Sequence, residues 1–397
     1  MNIVPLPSHE SLPPVSVREQ TFAAELERVT STSFHSGNEI EILHDGDNAF
    51  PAMLNAIRNA SKYVFMEFYI FKDDPVGNKF AEALVDVARR GVEVKLLYDS
   101  FGCRHTRKSF YDKMSRGGVE VRAFHPLSLM KLGQYLHRDH RKILVVDGEV
   151  GFTGGMNIGE EYWSQDNNVV SWRDVMVSLR GPAVADLLEV FRESWVEAGG
   201  KWFLLRDYKR SDRRGDRQVI TLSNASTQRA LALRKAYLLG IHTAQDTVYI
   251  MDPYFVPGRS LISALKIAVR RGVDVRLLFP GVCDVTTVKY ASQGFYEELL
   301  SSGIKIYEKQ GVILHGKAAI IDGYWTIIGS SNLDARSLNF NYECNFGILD
   351  EEISREMTDS FRRDLLTSRE IDLEDWIRRP ILDKALERVC SLLSEQL

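Results

Sequence analysis

Arg89 to Leu97 reads RRGVEVKLL, and Arg270 to Leu278 reads RRGVDVRLL, 181 residues further on. A chain that repeats itself at this distance is constrained to build the same unit twice. Helical stripes precede both copies: Phe80, Leu84, Val87 and Ala88 in one, Leu261, Leu265, Ala268 and Val269 in the other. Their i, i+4, i+7, i+8 spacing lays apolar residues on one helix face. Gly91 and Gly272 stand where a helix ends on a glycine, and the apolar runs after them predict buried strands. Val64–Phe71 and Val248–Phe255 match upstream, as do Gly118–Val121 and Gly303–Ile306 downstream. Each copy therefore reads strand–helix–strand–helix–strand.

The predicted organisation is two α/β halves. Residues 1–37, with Pro5, Pro7, Pro13 and Pro14, are expected as an arm. The first half is expected over 38–205 and the second over 218–370, joined by a charged linker at 206–217. An amphipathic tail is expected over 371–397. The 397 residues suit two or three cores at roughly 150 residues each. Hydrophobic residues make up 44% and charged ones 26%, which excludes disordered and collagen-like chains. A formal charge of −4 argues against bulk nucleic-acid binding. Cys103, Cys283, Cys344 and Cys390 are scattered, so neither a zinc ribbon nor a disulfide scaffold is expected, and a reducing compartment is. Neither a signal peptide nor a membrane-spanning run of about 18 apolar residues is read in the chain, which leaves peripheral contact with a membrane.

Each half carries one further pattern. His140-Arg141-Lys142 runs into an apolar strand that ends at Asp147-Gly148, and His315-Gly316-Lys317 into one that ends at Asp322-Gly323. Asn157 and Asn332 each follow their histidine by 17 residues, behind Gly154-Gly155 and Gly329-Ser330-Ser331. Side chains alternate across a strand, so each His shares a face with its Lys. Duplication preserves core residues, but polar residues at strand ends do nothing for a core unless paired. Two histidines suit attack on a phosphodiester: one bonds to phosphorus, the other protonates the leaving oxygen. Two lysines and two asparagines supply donors where charge builds on the phosphate. No metal or cofactor is expected. Each imidazole needs an acceptor for its far nitrogen; Asp174, 34 residues after His140, and Glu343, 28 after His315, are the candidates. Asp147 and Asp322 lie seven residues from their histidines, about 23 Å along an extended strand, and are expected as structural turn residues.

The duplicated H-x-K-x4-D with a trailing asparagine resembles the phospholipase D superfamily. Pro253-Tyr254-Phe255-Val256-Pro257, Gly329-Ser330-Ser331-Asn332-Leu333-Asp334, Asn341-Tyr342-Glu343, Trp172-Arg173-Asp174 and Trp376-Ile377-Arg378-Arg379-Pro380 make it most similar to bacterial cardiolipin synthases. It departs from that pattern in lacking the two N-terminal membrane helices many members carry, and in Gly316, where alanine is the expectation. The resemblance implies two α/β/α sandwich halves related by a pseudo-twofold, with the active site at their interface. It also implies His140 as nucleophile and His315 as general acid and base.

The implied activity is transfer of phosphatidyl from one phosphatidylglycerol to another, giving cardiolipin through a phospho-histidine at the cytoplasmic face of a bacterial membrane. Neither nucleic acid nor an obligatory protein partner is expected. The alternatives are a phospholipase D-type hydrolase, less so a nuclease, and an inactive lipid-binding module. Two segments suit a membrane surface. One is Leu127–Leu136, beside Lys131, His137 and Arg138; the other is the tail from Ile381, where Arg378 and Arg379 would favour anionic head groups. Both segments suit packing on the domain equally well.

Overall fold

A computed structural model describes residues 16–126, 137–163, 171–205, 208, 212–224 and 231–392. The first half holds β1 (Phe34–His44), β2 (Tyr63–Phe68), β3 (Glu93–Asp99), β4 (Glu120–Phe124), β5 (Lys142–Val146), β6 (Val150–Gly154) and β7 (Val175–Arg180). The second holds β8 (Arg217–Ser223), β9 (Thr247–Met251), β10 (Asp274–Pro280), β11 (Lys305–Lys309), β12 (Ala318–Ile321), β13 (Trp325–Gly329), β14 (Cys344–Leu349) and β15 (Ser368–Glu370). Hydrogen bonding runs β15-β11-β10-β9-β12-β13-β14-β8-β1-β7-β6-β5-β2-β3-β4. About the β8–β1 pair this order is nearly a palindrome of equivalent strands. β2, β3 and β4 pair in parallel, as do β9, β10 and β11, while β5 and β12 run antiparallel to β2 and β9.

The helices are α1 (Gln20–Thr30), α2 (Asp45–Arg58), α3 (Pro75–Arg89), α4 (Lys108–Arg116), α5 (Val184–Glu197), α6 (Ala232–Thr243), α7 (Arg259–Arg270), α8 (Thr286–Gln293), α9 (Tyr296–Leu300), α10 (Ala335–Asn339), α11 (Glu351–Leu366), α12 (Leu373–Ile377) and α13 (Ile381–Leu392). The repeated helix of the sequence is α3 in one half and α7 in the other. Pro75 opens α3, where a missing N–H costs nothing, and the Asp74 carboxylate accepts from Gly77 N at 2.8 Å. Gly91 and Gly272 end the two helices at φ +90° and +95°, the left-handed turn their sequence position predicts.

Strand alternation divides the apolar residues between two layers. In β2, Val64, Met66 and Phe68 join a core with α2, α3 and α4, while Tyr63 and Phe65 join a second core with α5. That second core is common to both halves, for it also takes Tyr249, Met251, Ala318 and Ile320 of β9 and β12 and Phe361 of α11. Helices thus cover both faces of the sheet, the sandwich architecture expected of the sequence.

The chain before residue 38 is more than an arm. Phe22, Leu26 and Thr30 of α1 are buried at i, i+4, i+8 spacing, and Phe22 meets the Trp325 ring of the second half at 5.6 Å, edge-on. β1 begins at Phe34 and pairs with both β7 and β8, so it belongs to both halves. The prolines of the arm end at Pro14, ahead of both elements, and only the short stripe Phe22, Leu26 and Thr30 announces α1. The segment Leu127–Leu136 lies outside the described residues. In the tail, α13 packs on α8 through Glu387 and Cys390, and leaves Leu386 and Val389 44% and 55% exposed. Arg379 is held by Glu387 at 2.6 and 3.0 Å and lies over the Trp376 ring, so its charge is taken up within the tail. Among the described residues, no helix is long and apolar enough to cross a membrane.

Candidate active site

His140 and His315 stand just before β5 and β12, and each is docked to the other half by a short parallel bridge. His140 N donates to Tyr342 O at 2.9 Å, and Tyr342 N to Arg138 O at 2.8 Å. In the counterpart, His315 N donates to Arg173 O at 2.8 Å and Arg173 N to Ile313 O at 2.9 Å. The residue after each bridge is an acid, so the carboxylates cross. His140 Nδ1 donates to Glu343 Oε1 and Oε2 at 3.0 and 3.1 Å; His315 Nδ1 donates to Asp174 Oδ2 at 2.7 Å. Counting along the sequence sets each acid beside the histidine of its own half; the fold gives it to the other.

All six groups are buried, and burial sets their charge. It pushes His140 down to about 4, against the pull of Glu343, and lowers His315, with Lys317 adding to the effect. Burial alone would raise Glu343 and Asp174, but the histidines they hold, and the nearby lysines, keep both below the usual carboxylate range. The lysines are lowered too, Lys142 to about 7, chiefly by desolvation. Lys142 Nζ and Lys317 Nζ each donate to the carbonyl of their own histidine at 2.5 Å. Lys317 also depresses His140 and Lys142, so the two sets lie within electrostatic reach as one site.

The asparagines differ. Asn157 has both ends of its amide engaged: Oδ1 accepts from Ile70 N at 3.1 Å and Nδ2 donates to the Tyr162 hydroxyl at 3.0 Å. Asn332 Oδ1 is buried without a hydrogen-bond partner among the described residues. The glycine before Asn157 has a steric reason, since a Cβ on Gly155 would fall 2.2 Å from Asp174 Oδ1. At Gly316 a Cβ would come 2.7 Å from Met251 Sδ, so alanine there would require the methionine side chain to shift.

Asp147 and Asp322 face away from the histidines. Asp147 accepts from the amides of Ser61, Lys62 and Tyr63 at 2.8–2.9 Å, and Asp322 from those of Gln245, Asp246 and Thr247 at 2.8–2.9 Å. Both adopt positive φ, +54° and +50°, in the turn after the motif strand. Each pins the entry of the neighbouring strand.

Sequence reasoning passes over the aromatic wall. The Tyr69 ring lies 4.8 Å from His140; Tyr162 and Trp172 lie 5.5 Å from His315, and Tyr254 lies 6.2 Å from it. Ser330 is also missed, although it precedes Asn332 by two residues; its hydroxyl donates to Glu343 Oε2 at 2.5 Å. The available signals were Trp172 beside Asp174, and Tyr69 and Tyr254 just past equivalent strands.

Comparison with known proteins agrees with this architecture. The family model described as cardiolipin synthase, PLD-like domain, matches residues 53–195 and 237–365. A cardiolipin synthase of Geobacillus sp. (strain WCH70) is 34% identical over 387 residues, covering 96% of this chain and 77% of its own. Cardiolipin synthase 2 of Bacillus anthracis is 34% identical over 374 residues, 93% of this chain and 72% of its own. The crystal structure of a phosphatidylserine synthase from Haemophilus influenzae Rd KW20 superposes with a TM-score of 0.73 at 13% identity, over 94% of this chain and 99% of that one, a likeness of fold.

Proposed function

The chain belongs to the cardiolipin synthase family of phospholipase D-like proteins and is a phosphatidyltransferase of that kind; from this premise we propose that it joins two phosphatidylglycerols through a phospho-histidine. His140, with its proton held on Nδ1 by Glu343 and its charge suppressed by burial, presents a neutral Nε2 to phosphorus. The P–O bond to glycerol breaks as His315 gives that oxygen its proton. The glycerol hydroxyl of a second phosphatidylglycerol then gives its proton to His315 and its oxygen attacks phosphorus. The P–N bond breaks, and cardiolipin leaves with His140 restored.

The resting site holds both histidines neutral, so His315 takes its proton from solvent as the anionic phosphodiester binds and favours the imidazolium. Lys142 and Lys317 neutralise the phosphate oxygens as charge accumulates, with Asn332 aiding. Asn157, engaged with Ile70 and Tyr162, fixes the Tyr162 ring against His315. Catalysis is proposed at the cytoplasmic face of a membrane; the exposed Leu386 and Val389 of α13 support contact with a lipid surface, without bearing on which face.

The observation that carries this reading is the pair of buried histidines, each oriented by a carboxylate from the opposite half. Incubating the purified protein with phosphatidylglycerol liposomes and analysing the lipids tests it. Cardiolipin with free glycerol supports it, phosphatidic acid replaces it with a hydrolase, and no turnover replaces it with a lipid-binding module. Mapping a trapped phosphate to His315 rather than His140 would reverse the two roles.

A further inference from the structure

The middle residue of each H-x-K motif points away from the lysine face, and here the halves part company. Arg141 is fully buried. Its guanidinium reaches Ser194 Oγ at 2.5 Å and Val190 O at 3.5 Å in α5, and crosses to the second half to reach Ser223 Oγ at 2.9 Å and the Glu343 carbonyl at 3.4 Å. It lies over the Tyr342 ring at 5.3 Å and 3.6 Å from Glu67 Oε1. Tyr342 and Glu343 are the bridge residue and the acid of His140. Arg141 therefore touches the segment that carries the acid, from beneath.

Glu67 and Asp139 are fully buried beside it. Both Glu67 oxygens and Asp139 Oδ2 lack a conventional donor among the described residues, while Asp139 Oδ1 accepts from Arg141 N at 3.3 Å. Two adjacent carboxyls in such a place hold one proton between them, since two charges that close do not both ionise. Burial raises both groups, and the nearby Glu67 charge raises Asp139 further; Asp99 adds to this from the β3 end. Burial works against the Arg141 charge, but Glu67 and Asp139 outweigh it. One cation then balances one shared negative charge.

Strand register identifies the same three positions in the other half. Phe68 pairs with Lys142, and Met251 pairs with Ala318, which sets Glu67 opposite Met251 in the repeat. The parallel bridges set Asp139 opposite Leu314. The layer Glu67–Asp139–Arg141 is Met251–Leu314–Gly316 in the second half, wholly apolar and equally buried. An apolar layer therefore suffices for this fold, so the charged one answers to something else.

We propose that Arg141, neutralised by a Glu67–Asp139 pair sharing one proton, is a positioning residue that holds Glu343 on His140 across the two halves. It touches no reacting atom; it fixes the segment from which the acid projects. The proposal rests on the two-histidine reading for its rate effect, but the hydrogen bond it protects is readable without substrate.

The test replaces the charged layer by apolar side chains, as E67M/D139L/R141M. Exchanging a buried ionic cluster for apolar groups of similar volume leaves stability unchanged or raises it. The melting temperature should hold, while kcat falls about 10²-fold, the effect of a small misplacement, with KM within about threefold. The downfield Nδ1 proton of His140, assigned by its loss in H140N, should shift or broaden in the NMR spectrum. An unchanged kcat and an unchanged Nδ1 proton would overturn the proposal. R141K keeps the charge without the fork and serves if the triple variant does not fold; it should lose about tenfold in kcat and shift the same proton, and wild-type behaviour in both overturns the proposal equally. E67Q, a neutral donor in place of the shared proton, should keep kcat within about threefold; a larger loss overturns the shared proton. If wild type does not turn over phosphatidylglycerol while its His140 proton responds as described, the functional reading fails and the positioning role stands.

Discussion

The half that carries His140 and the half that carries His315 agree in their histidine, lysine and motif aspartate and differ in what supports them. Both deliver a histidine through a parallel bridge, both place a lysine two residues on, and both end the strand on an aspartate in a left-handed turn. Behind these, His140 has Glu343, tied by Ser330, with Tyr69 over its ring. His315 has Asp174, with Tyr162 and Trp172 packed against it. The transition state constrains the groups that face it, and a duplicated chain keeps those alike. Supports answer only to local packing, and they have diverged.

The sharpest way to break the comparison is to remove either histidine. H140A and H315A should each lose at least about 10²–10⁴ in turnover, the range of one acid–base group. If one variant stayed near wild type in a radiolabelled lipid assay, the two halves would not share one reaction. K142M and K317M come next, at about 10²–10³ each, comparable to an oxyanion donor. A marked inequality would mean that one lysine alone faces the phosphate as charge develops.

The burial of His140 gives a pH signature. His140 sits at about 4 in the folded protein, below the ordinary value of about 6.5. Between those values the unfolded chain binds the extra proton, so stability falls as pH is lowered from about 6.5 towards 4. In H140N that slope should flatten, as read from chemical denaturation across the window; an unchanged slope would assign the proton elsewhere. The smallest effect belongs to the turns. D147N and D322N, measured by thermal melting, should each cost roughly 1–3 kcal/mol through weakened charged hydrogen bonds, with kcat nearly unchanged. A large loss of kcat in either would draw that aspartate into the chemistry.

Much of this was legible in the chain because repetition makes a pattern visible twice. The α3 and α7 stripes, the glycines that end them and the strands after them follow from local periodicity. So do the shared face of His and Lys and the turn role of Asp147 and Asp322. The crossing of Glu343 and Asp174 does not, because it depends on which strand ends meet across the β1–β8 seam. Nor does the docking of α1 on the second half, since Phe22 and Leu26 name no partner. Arg141 and Gly316 occupy the same place in the motif, yet only the structure shows that their surroundings differ, Glu67 in one case and Met251 in the other.

The crossed dyads also order events during synthesis. A ribosome exposes His140 long before Glu343 exists, and exposes Asp174 well before His315. Until residue 343 has been made and its segment has joined Tyr342 to Arg138, the first histidine has no acid, whereas Asp174 already awaits the second. On the two-histidine reading, a nascent or truncated chain should not turn over phosphatidylglycerol, and activity should arrive only when the second half closes on the first.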